Sequence, residues 1–280
     1  MPPWTEPRSL ARRLLAAACA LGLAAGVAGC AADDAASEPE PAATEDAILG
    51  GRSESGWPAV GMLHFNSGNF GTGALISPTM VLTAAHVGKG NPTKFYFGSP
   101  PAGKPPTLQN LRSVAVAEII IHPCYDTPTR FGCPSRDAID IALVRLAEPI
   151  SDVVPLKVID RPLFEIWDFV SPWVGQRCAA VGFGAYVGDD KKATFGSRRS
   201  ASSIVSWVGP TELVTARGTG IATSGDSGGP LVCGDQIIGT VRGSAGGSIP
   251  KDASPYERIK EGYERSDLWR DWIARGGKER

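Results

Sequence analysis

Short apolar runs of β type, separated by clusters of Gly, Pro, Asn and Ser, recur along residues 48–280. Runs of this length and spacing are typical of an all-β barrel or sandwich. The 34 glycines and 23 prolines provide many turns, and 42% hydrophobic residues are enough to fill a core. A proline-rich connector at residues 151–172 divides the runs into two similar halves. The predicted strands are residues 59–65, 73–82, 94–97, 113–121, 141–146, 177–182, 203–208, 230–233 and 236–241.

One helix is predicted, at the C-terminal end of the chain. Residues 266–273 begin with capping-type residues and place Leu268, Trp269, Trp272 and Ile273 at helical spacing. We expect these four apolar side chains to share one buried face.

The N-terminal residues have the features of an export signal. Three arginines among residues 8–13 precede an apolar run, residues 14–27, that is too short to cross a bilayer as a helix. The run ends in Val-Ala-Gly-Cys, which resembles the lipobox of bacterial lipoproteins and predicts a signal peptide at residues 1–29 with a lipid on Cys30. The alternative is a plain secretory signal in which Cys30 has no role. The expected location is the bacterial cell envelope, with the membrane as a partner through the lipid.

An acidic stretch separates this signal from the predicted strands. Residues 31–47 contain six acidic residues and no Lys or Arg, and too few apolar residues to fold. We therefore expect a disordered tether or propeptide at residues 30–47 and one folded domain, a monomer, at residues 48–280. The net charge of −1 gives no electrostatic reason to expect a nucleic-acid partner.

Four motifs point together to one chemistry. A single histidine after a strand or aspartate before one is most often structural, but a Gly-Asp-Ser-Gly-Gly-Pro hexapeptide is rarely produced by chance. The motifs are Ile-Leu-Gly-Gly at 48–51, Thr-Ala-Ala-His at 83–86, Asp-Ile-Ala-Leu at 140–143 and the hexapeptide at 225–230. In this order along the chain, they resemble the motifs of the trypsin/chymotrypsin-like serine proteases, over residues 48–280.

The resemblance implies a fold and a mechanism. The fold is two six-stranded antiparallel β-barrels with a C-terminal helix and the catalytic residues at their junction. In the mechanism His86 takes the proton of Ser227, Asp140 orients His86, and the backbone N–H groups of Gly225 and Ser227 form the oxyanion hole. The expected activity is hydrolysis of peptide bonds in polypeptides through an acyl-enzyme, without a metal or cofactor.

The resemblance also implies activation by cleavage. In the family a newly formed N-terminal ammonium, here that of Ile48, pairs with the aspartate before the nucleophile, here Asp226. The chain is therefore expected to be a zymogen cut between Ala47 and Ile48. Because Cys30 lies before this bond, the cut would also release the protease from the membrane.

The cysteines follow the family only in part. The resemblance pairs Cys178 with Cys233 and leaves Cys124 and Cys133, which are close in sequence, as a local pair. The family's cysteine bridge beside the catalytic histidine is missing, because those two positions are Gly71 and Val87. Disulfides agree with an exported protein.

The expected specificity pocket is apolar. Ile221, six residues before Ser227, occupies the position of the aspartate in trypsin-like members, and Ser254 falls where a glycine opens the pocket. We expect cleavage after small or apolar residues and no tryptic activity. Because residues 239–244 depart from the family's substrate-pairing strand, one alternative is a catalytically weak or inactive binding module displayed on the cell surface. A weaker alternative is an esterase with the same triad.

Overall fold

The computed structural model describes residues 52–129, 133, 139–165, 170–187, 193–194, 196–217, 220, 222–244 and 261–278. In these residues no helix is long and apolar enough to span a membrane. The strands are β1 (Arg52–Ser53), β2 (Val60–Phe65), β3 (Phe70–Ser77), β4 (Met80–Thr83), β5 (Pro92–Phe97), β6 (Arg112–Ile121), β7 (Ala142–Leu146), β8 (Lys157–Val158), β9 (Arg177–Gly182), β10 (Tyr186–Val187), β11 (Ala193–Thr194), β12 (Arg199–Val208), β13 (Glu212–Arg217), β14 (Pro230–Cys233), β15 (Gln236–Ser244) and β16 (Glu261–Arg265). The helices are α1 (Ala85–Lys89) and α2 (Arg270–Ala274), and a 3₁₀ turn spans Asp267–Trp269.

Two closed antiparallel barrels of six strands each make up the fold, as the resemblance implies. The first has the strand order β2-β3-β4-β7-β6-β5 and closes through the β2–β5 pair. The second has the order β12-β13-β16-β15-β14-β9 and closes through the β12–β9 pair. Strand β1 adds to β12, and β8 pairs in parallel with β15. The predicted chymotrypsin-like fold is confirmed.

Each barrel encloses its own apolar core. Leu63, Leu75 and Val144 are fully buried in the first barrel, and Leu213 and Tyr263 are fully buried in the second. Closure pairs each of the six strands of a barrel with a neighbour on both sides.

The strand prediction was incomplete in two respects. The predicted run at residues 73–82 is two strands, because a turn at Pro78 and Thr79 separates β3 from β4. Four two-residue strands, β1, β8, β10 and β11, and two longer strands, β13 and β16, were not predicted at all. The sequence of β16, Glu-Gly-Tyr-Glu-Arg, has no apolar alternation, yet all five residues are buried.

The predicted terminal helix exists, but its expected apolar face was partly wrong. Trp269, Trp272 and Ile273 are buried, whereas Leu268 is 39% exposed. The first turn is 3₁₀, with three residues per turn, so Leu268 aligns with exposed Asp271 rather than with the tryptophans.

Both predicted disulfides are present in the structure. Cys124 and Cys133 form a local bridge with Cα atoms 5.7 Å apart. The Cα atoms of Cys178 and Cys233 are 4.4 Å apart. Because β9 and β14 pair in antiparallel register, these two cysteines come opposite each other within one barrel wall.

A buried arginine connects the N-terminal segment to both barrels. Arg198 is fully buried just before β12, and its guanidinium donates hydrogen bonds of 2.9–3.3 Å to four backbone carbonyls. Burial lowers the pKa of Arg198 to about 10, opposed by the charge of Glu54. The carbonyl groups belong to Glu54, Ser55, Val60 and Gly98.

We expect Arg198→Met to lower the free energy of unfolding by about 3 kcal/mol or more, because it leaves buried carbonyl groups without donors. The matched control is Arg177→Met. Arg177 is exposed and its guanidinium bonds only the Ser202 hydroxyl among the contacts of the described residues, so a change within about 0.5 kcal/mol is expected. Urea unfolding followed by tryptophan fluorescence measures both. Equal effects of the two variants would contradict the anchoring role of Arg198.

Candidate active site

Strand register brings His86 and Asp140 to the same end of the first barrel. His86 lies in α1, directly after β4, and Asp140 precedes β7. Strands β4 and β7 are neighbours, with Thr83 opposite Ala142. The two chain segments that carry His86 and Asp140 are therefore adjacent.

Two hydrogen bonds connect these residues. The backbone N–H of His86 donates to Asp140 Oδ1 at 2.9 Å, and His86 Nδ1 lies 2.7 Å from Asp140 Oδ2. Asp140 is buried, whereas the His86 ring is partly exposed. A carboxylate beside Nδ1 places the ring proton there, which leaves Nε2 as a proton acceptor.

Thr72 of β3 holds the loop that carries Ser227. The Thr72 N–H donates to the Ser227 carbonyl at 2.9 Å, and the Thr72 hydroxyl donates to the Gly225 carbonyl at 2.8 Å. On the other side of the loop, the Gly228 N–H donates to the Val241 carbonyl at 2.9 Å. The Ser227 loop of the second barrel is thus hydrogen-bonded to the first barrel on one side and to β15 on the other.

The Ser227 loop also packs directly against the segment before His86. A Cβ at Gly228 would overlap Thr83 Oγ1 and would lie 2.9 Å from the Ala84 nitrogen. Gly228 has a φ of +79°, a conformation that glycine adopts without strain. Among the hydrogen bonds of the described residues there is none between Ser227 and His86. The structure therefore joins His86 to Asp140 directly and brings Ser227 near them through shared neighbours.

The space of the missing family disulfide is filled by packing. A Cβ at Gly71 would lie 2.7 Å from a methyl group of Val87, so the valine occupies the volume that a side chain at position 71 would need. Gly71 and Val87 replace the bridge as a pair, which explains why both cysteines are missing together.

Asp226 is a buried carboxylate surrounded by donors. Its oxygens accept hydrogen bonds from the Gly184 N–H at 2.7 Å and from the Thr223 N–H and hydroxyl at 2.8 and 3.2 Å. No Lys, Arg or His of the described residues pairs with it. Burial and, to a smaller extent, the charge of Glu261 raise the pKa of Asp226 to about 6, although these hydrogen bonds oppose the shift.

The backbone donors of the predicted oxyanion hole are available. Gly225 has a φ of +100°, and a Cβ there would lie 2.5 Å from the Phe70 ring. Within the described part of the chain, neither the Gly225 N–H nor the Ser227 N–H donates to a protein acceptor.

The remaining predicted site residues lie outside the described residues: Cys30, Ile48, Ile221 and Ser254. Next to Ile221, the Ala222 N–H donates to the carboxylate of Glu261, which also accepts from the Tyr263 hydroxyl at 2.6 Å. Glu261 is buried, and burial raises its pKa. The bond from Ala222 to a buried carboxylate was not expected from the sequence.

Glu264 is a second carboxylate that the sequence analysis missed. Its side chain is fully buried, with Oε2 accepting from the Asp140 N–H at 3.1 Å and Oε1 from Trp269 Nε1–H at 3.0 Å. Burial raises the pKa of Glu264 to about 7, and the charge of Asp140 also raises it. Because Glu264 and Asp140 are 124 residues apart, no local motif relates them.

Two barrels with a histidine–aspartate pair and a glycine-rich nucleophile loop at their junction define a chymotrypsin-like serine protease architecture. The sequence profile of the trypsin family, described as Trypsin, matches residues 48–264. The chain belongs to this family, whose serine proteases are hydrolases.

Curated relatives agree with this assignment. Serine protease 56 of Mus musculus is 27% identical over 247 residues, covering 81% of this chain and 38% of that protein. Complement C1s subcomponent of Rattus norvegicus is 32% identical over 111 residues, covering 40% and 16%. The chain thus spans less than half the length of these two relatives. Snake venom serine proteinase 14 of Crotalus adamanteus is 28% identical over 233 residues, covering 72% and 75%.

Solved structures agree with the fold. Neuropsin, a serine protease expressed in the limbic system of mouse brain, superposes with a TM-score of 0.58 at 22% identity, covering 81% of this chain and 99% of that one. Human heparin binding protein superposes with a TM-score of 0.57 at 22% identity, covering 80% and 94%.

We expect Gly228→Ala to lower the free energy of unfolding by clearly more than Gly234→Ala. Both glycines have positive φ, +79° and +65°, so each alanine pays a backbone cost of about 1–2 kcal/mol. Only at Gly228 would the added Cβ also meet Thr72, Thr83 and Ala84, whereas Gly234 has nothing within 4 Å. Urea unfolding of the two variants measures the difference. Equal losses would contradict close packing of the nucleophile loop on the segment before His86.

Proposed function

We propose that this chain is an active serine endopeptidase in which Ser227 attacks the peptide carbonyl. His86 is the general base, and Asp140 holds its ring and stabilises the imidazolium. The observation that carries the proposal is the pair of hydrogen bonds from His86 to Asp140, which leaves Nε2 to accept the Ser227 proton. In enzymes without substrate, the bond between nucleophile and base is often long and tightens only in the complex.

The oxyanion formed in this reaction takes its hydrogen bonds from the backbone N–H groups of Gly225 and Ser227. Both groups are without a protein acceptor in the described residues, and Thr72 holds the carbonyl groups of the same two residues. Donors fixed in this way need no reorganisation when charge develops, and each is worth about 2.7–4 kcal/mol.

We also propose that the chain is a zymogen activated by cleavage before Ile48. Asp226 supports this, because a buried carboxylate with a pKa raised to about 6 and no cationic partner among the described residues is costly. The Ile48 ammonium would supply the missing charge and fix the loop between Asp226 and Ser227.

For the substrate we propose polypeptides with a small or apolar residue before the cleaved bond. Ile221 supports this preference, since an isoleucine side chain cannot pair with Arg or Lys. The Glu261 carboxylate is satisfied by Ala222 N–H and Tyr263 OH, so its charge does not require a basic substrate.

The second candidate is a displayed binding module with little or no catalysis. Two observations favour it: the described residues show no Ser227–His86 hydrogen bond, and Arg242 lies in the strand that should pair with substrate. The name of one structural neighbour, human heparin binding protein, describes binding by that protein. The intact residues His86, Asp140 and Ser227 favour the protease.

A fluorophosphonate probe tests the activity directly. We expect the chain cleaved before Ile48 to be labelled on Ser227, and Ser227→Ala to lose labelling and at least about a thousandfold of peptide hydrolysis. The matched control is Ser224→Ala, because Ser224 is an exposed serine of the same loop and its removal should leave labelling intact. No labelling of the cleaved chain would favour the binding module.

A peptide library that varies the residue before the cleaved bond extends this experiment. Cleavage after Ala, Val or Leu supports the apolar pocket. Cleavage after Arg or Lys would contradict it.

We further propose export as a bacterial lipoprotein anchored through Cys30 and released by the activating cut. The signal and the acidic residues 31–47 support this; the relatives above come from animals and do not bear on a lipobox.

Cell fractionation with N-terminal sequencing is expected to find a membrane form beginning at Cys30 without activity and a released, active form beginning at Ile48. Cys30→Ala should abolish incorporation of labelled palmitate. An active membrane form still beginning at Cys30 would contradict release by activation.

A further inference from the structure

Glu264 points out of the second barrel toward the first. Its neighbour in β16, Tyr263, packs in the core of the second barrel, and side chains alternate along a strand. The Glu264 side chain therefore leaves the barrel and reaches the segment before β7, where its Oε2 accepts the Asp140 N–H at 3.1 Å.

The same carboxylate also binds the C-terminal turn. Its Oε1 accepts from Trp269 Nε1–H at 3.0 Å, and the Arg242 guanidinium of β15 lies 3.9 Å from Oε2. Glu264 thus joins three elements: the second barrel wall, the terminal helix region and the segment that carries Asp140. Its burial is complete, so these bonds are shielded from water.

The orientation of Asp140 determines whether both of its carboxylate oxygens reach His86. One oxygen of its carboxylate accepts a hydrogen bond from the His86 backbone N–H, and the other is bonded to His86 Nδ1. A small rotation of the Asp140 backbone would therefore break both bonds. On one flank the segment is held by the His122 N–H, which donates to the Ile141 carbonyl at 3.1 Å. Glu264 holds the Asp140 N–H itself.

We propose that Glu264 is a positioning residue for Asp140, which acts across the barrel interface to keep both carboxylate oxygens on His86. This inference rests on the proposed protease function. Glu264 touches neither the substrate nor the reacting atoms, so its effect on catalysis is transmitted through Asp140.

Charge adds to the positioning. The ionisable groups that face Glu264 are Asp140 from the first barrel and Arg242 from β15, and Arg242 in turn lies 3.9 Å from Glu212 of β13. Because burial and Asp140 raise the Glu264 pKa to about 7, the group is ionised above that pH and neutral below it. The ionised form places a negative charge behind Asp140, which favours the imidazolium of His86 in the transition state. This contribution is lost as the pH falls through about 7.

Steady-state kinetics of Glu264→Gln and Glu264→Ala, with active sites counted by a fluorophosphonate, test the proposal. Gln keeps one acceptor oxygen for the Asp140 N–H but has no charge; Ala removes both. We expect Glu264→Ala to lower kcat by about 100-fold with little change in KM. Glu264→Gln should keep most of kcat at pH 8, and the acid limb of its kcat/KM profile should show one ionisation fewer than that of the unmodified protein.

The matched control is Glu212→Gln, which removes a charge at the same 3.9 Å distance from Arg242 without a bond to Asp140. It should retain the kcat and pH profile of the unmodified protein. If Glu264→Gln has an unchanged pH profile and Glu264→Ala an unchanged kcat per titrated site, the proposal is overturned. If Glu264→Ala does not fold, the profile of Glu264→Gln decides alone. If the cleaved, unmodified protein itself is not titrated, the protease function fails instead.

Discussion

The assembly of the site depends on one buried threonine at the barrel interface. The Thr72 N–H donates to the Ser227 carbonyl and the Thr72 hydroxyl donates to the Gly225 carbonyl. The Thr72 carbonyl accepts a hydrogen bond from the Thr83 hydroxyl at 2.7 Å. The Thr72 hydroxyl oxygen also accepts the Phe183 N–H at 3.1 Å. Thr72 of the first barrel therefore holds the Ser227 loop, which belongs to the second barrel. These bonds keep the loop against the barrel that carries His86 and Asp140.

Three ionisable side chains are buried near the interface between the two barrels. Arg198, Asp226 and Glu264 are all buried, and each has a pKa shifted toward its neutral form by desolvation. The chain tolerates them because backbone groups satisfy their hydrogen bonds. Such groups add little net stability but impose one arrangement of the segments around them. Perturbed carboxylates beside a nucleophile are also typical of functional sites, where a nearby charge alters the chemistry.

The sequence predicted the features that short stretches of residues determine by themselves. Apolar runs between turn residues predicted most strands, and the order of His86, Asp140 and Ser227 predicted the architecture that the barrels confirm. It did not predict β16, because Glu261, Glu264 and Arg265 look like surface residues until distant partners bury them. Leu268 was misplaced because a 3₁₀ turn changes the angular spacing of side chains. The burial of β16 and the bond from Glu264 to Asp140 depend on contacts between segments far apart in the chain, which no short window of sequence contains.

The pairing of β1 with β12 limits the distance that could separate a new N-terminus at Ile48 from Asp226. Ser53 lies opposite Arg199, Arg199 lies opposite Gly182, and Gly182 abuts the Asp226 carboxylate. Two strand spacings separate β1 from that position, about 10 Å. The four residues 48–51 can extend about 14 Å beyond β1. A terminal ammonium held this close has an effective concentration in the millimolar range or above, so docking would be intramolecular and independent of protein dilution.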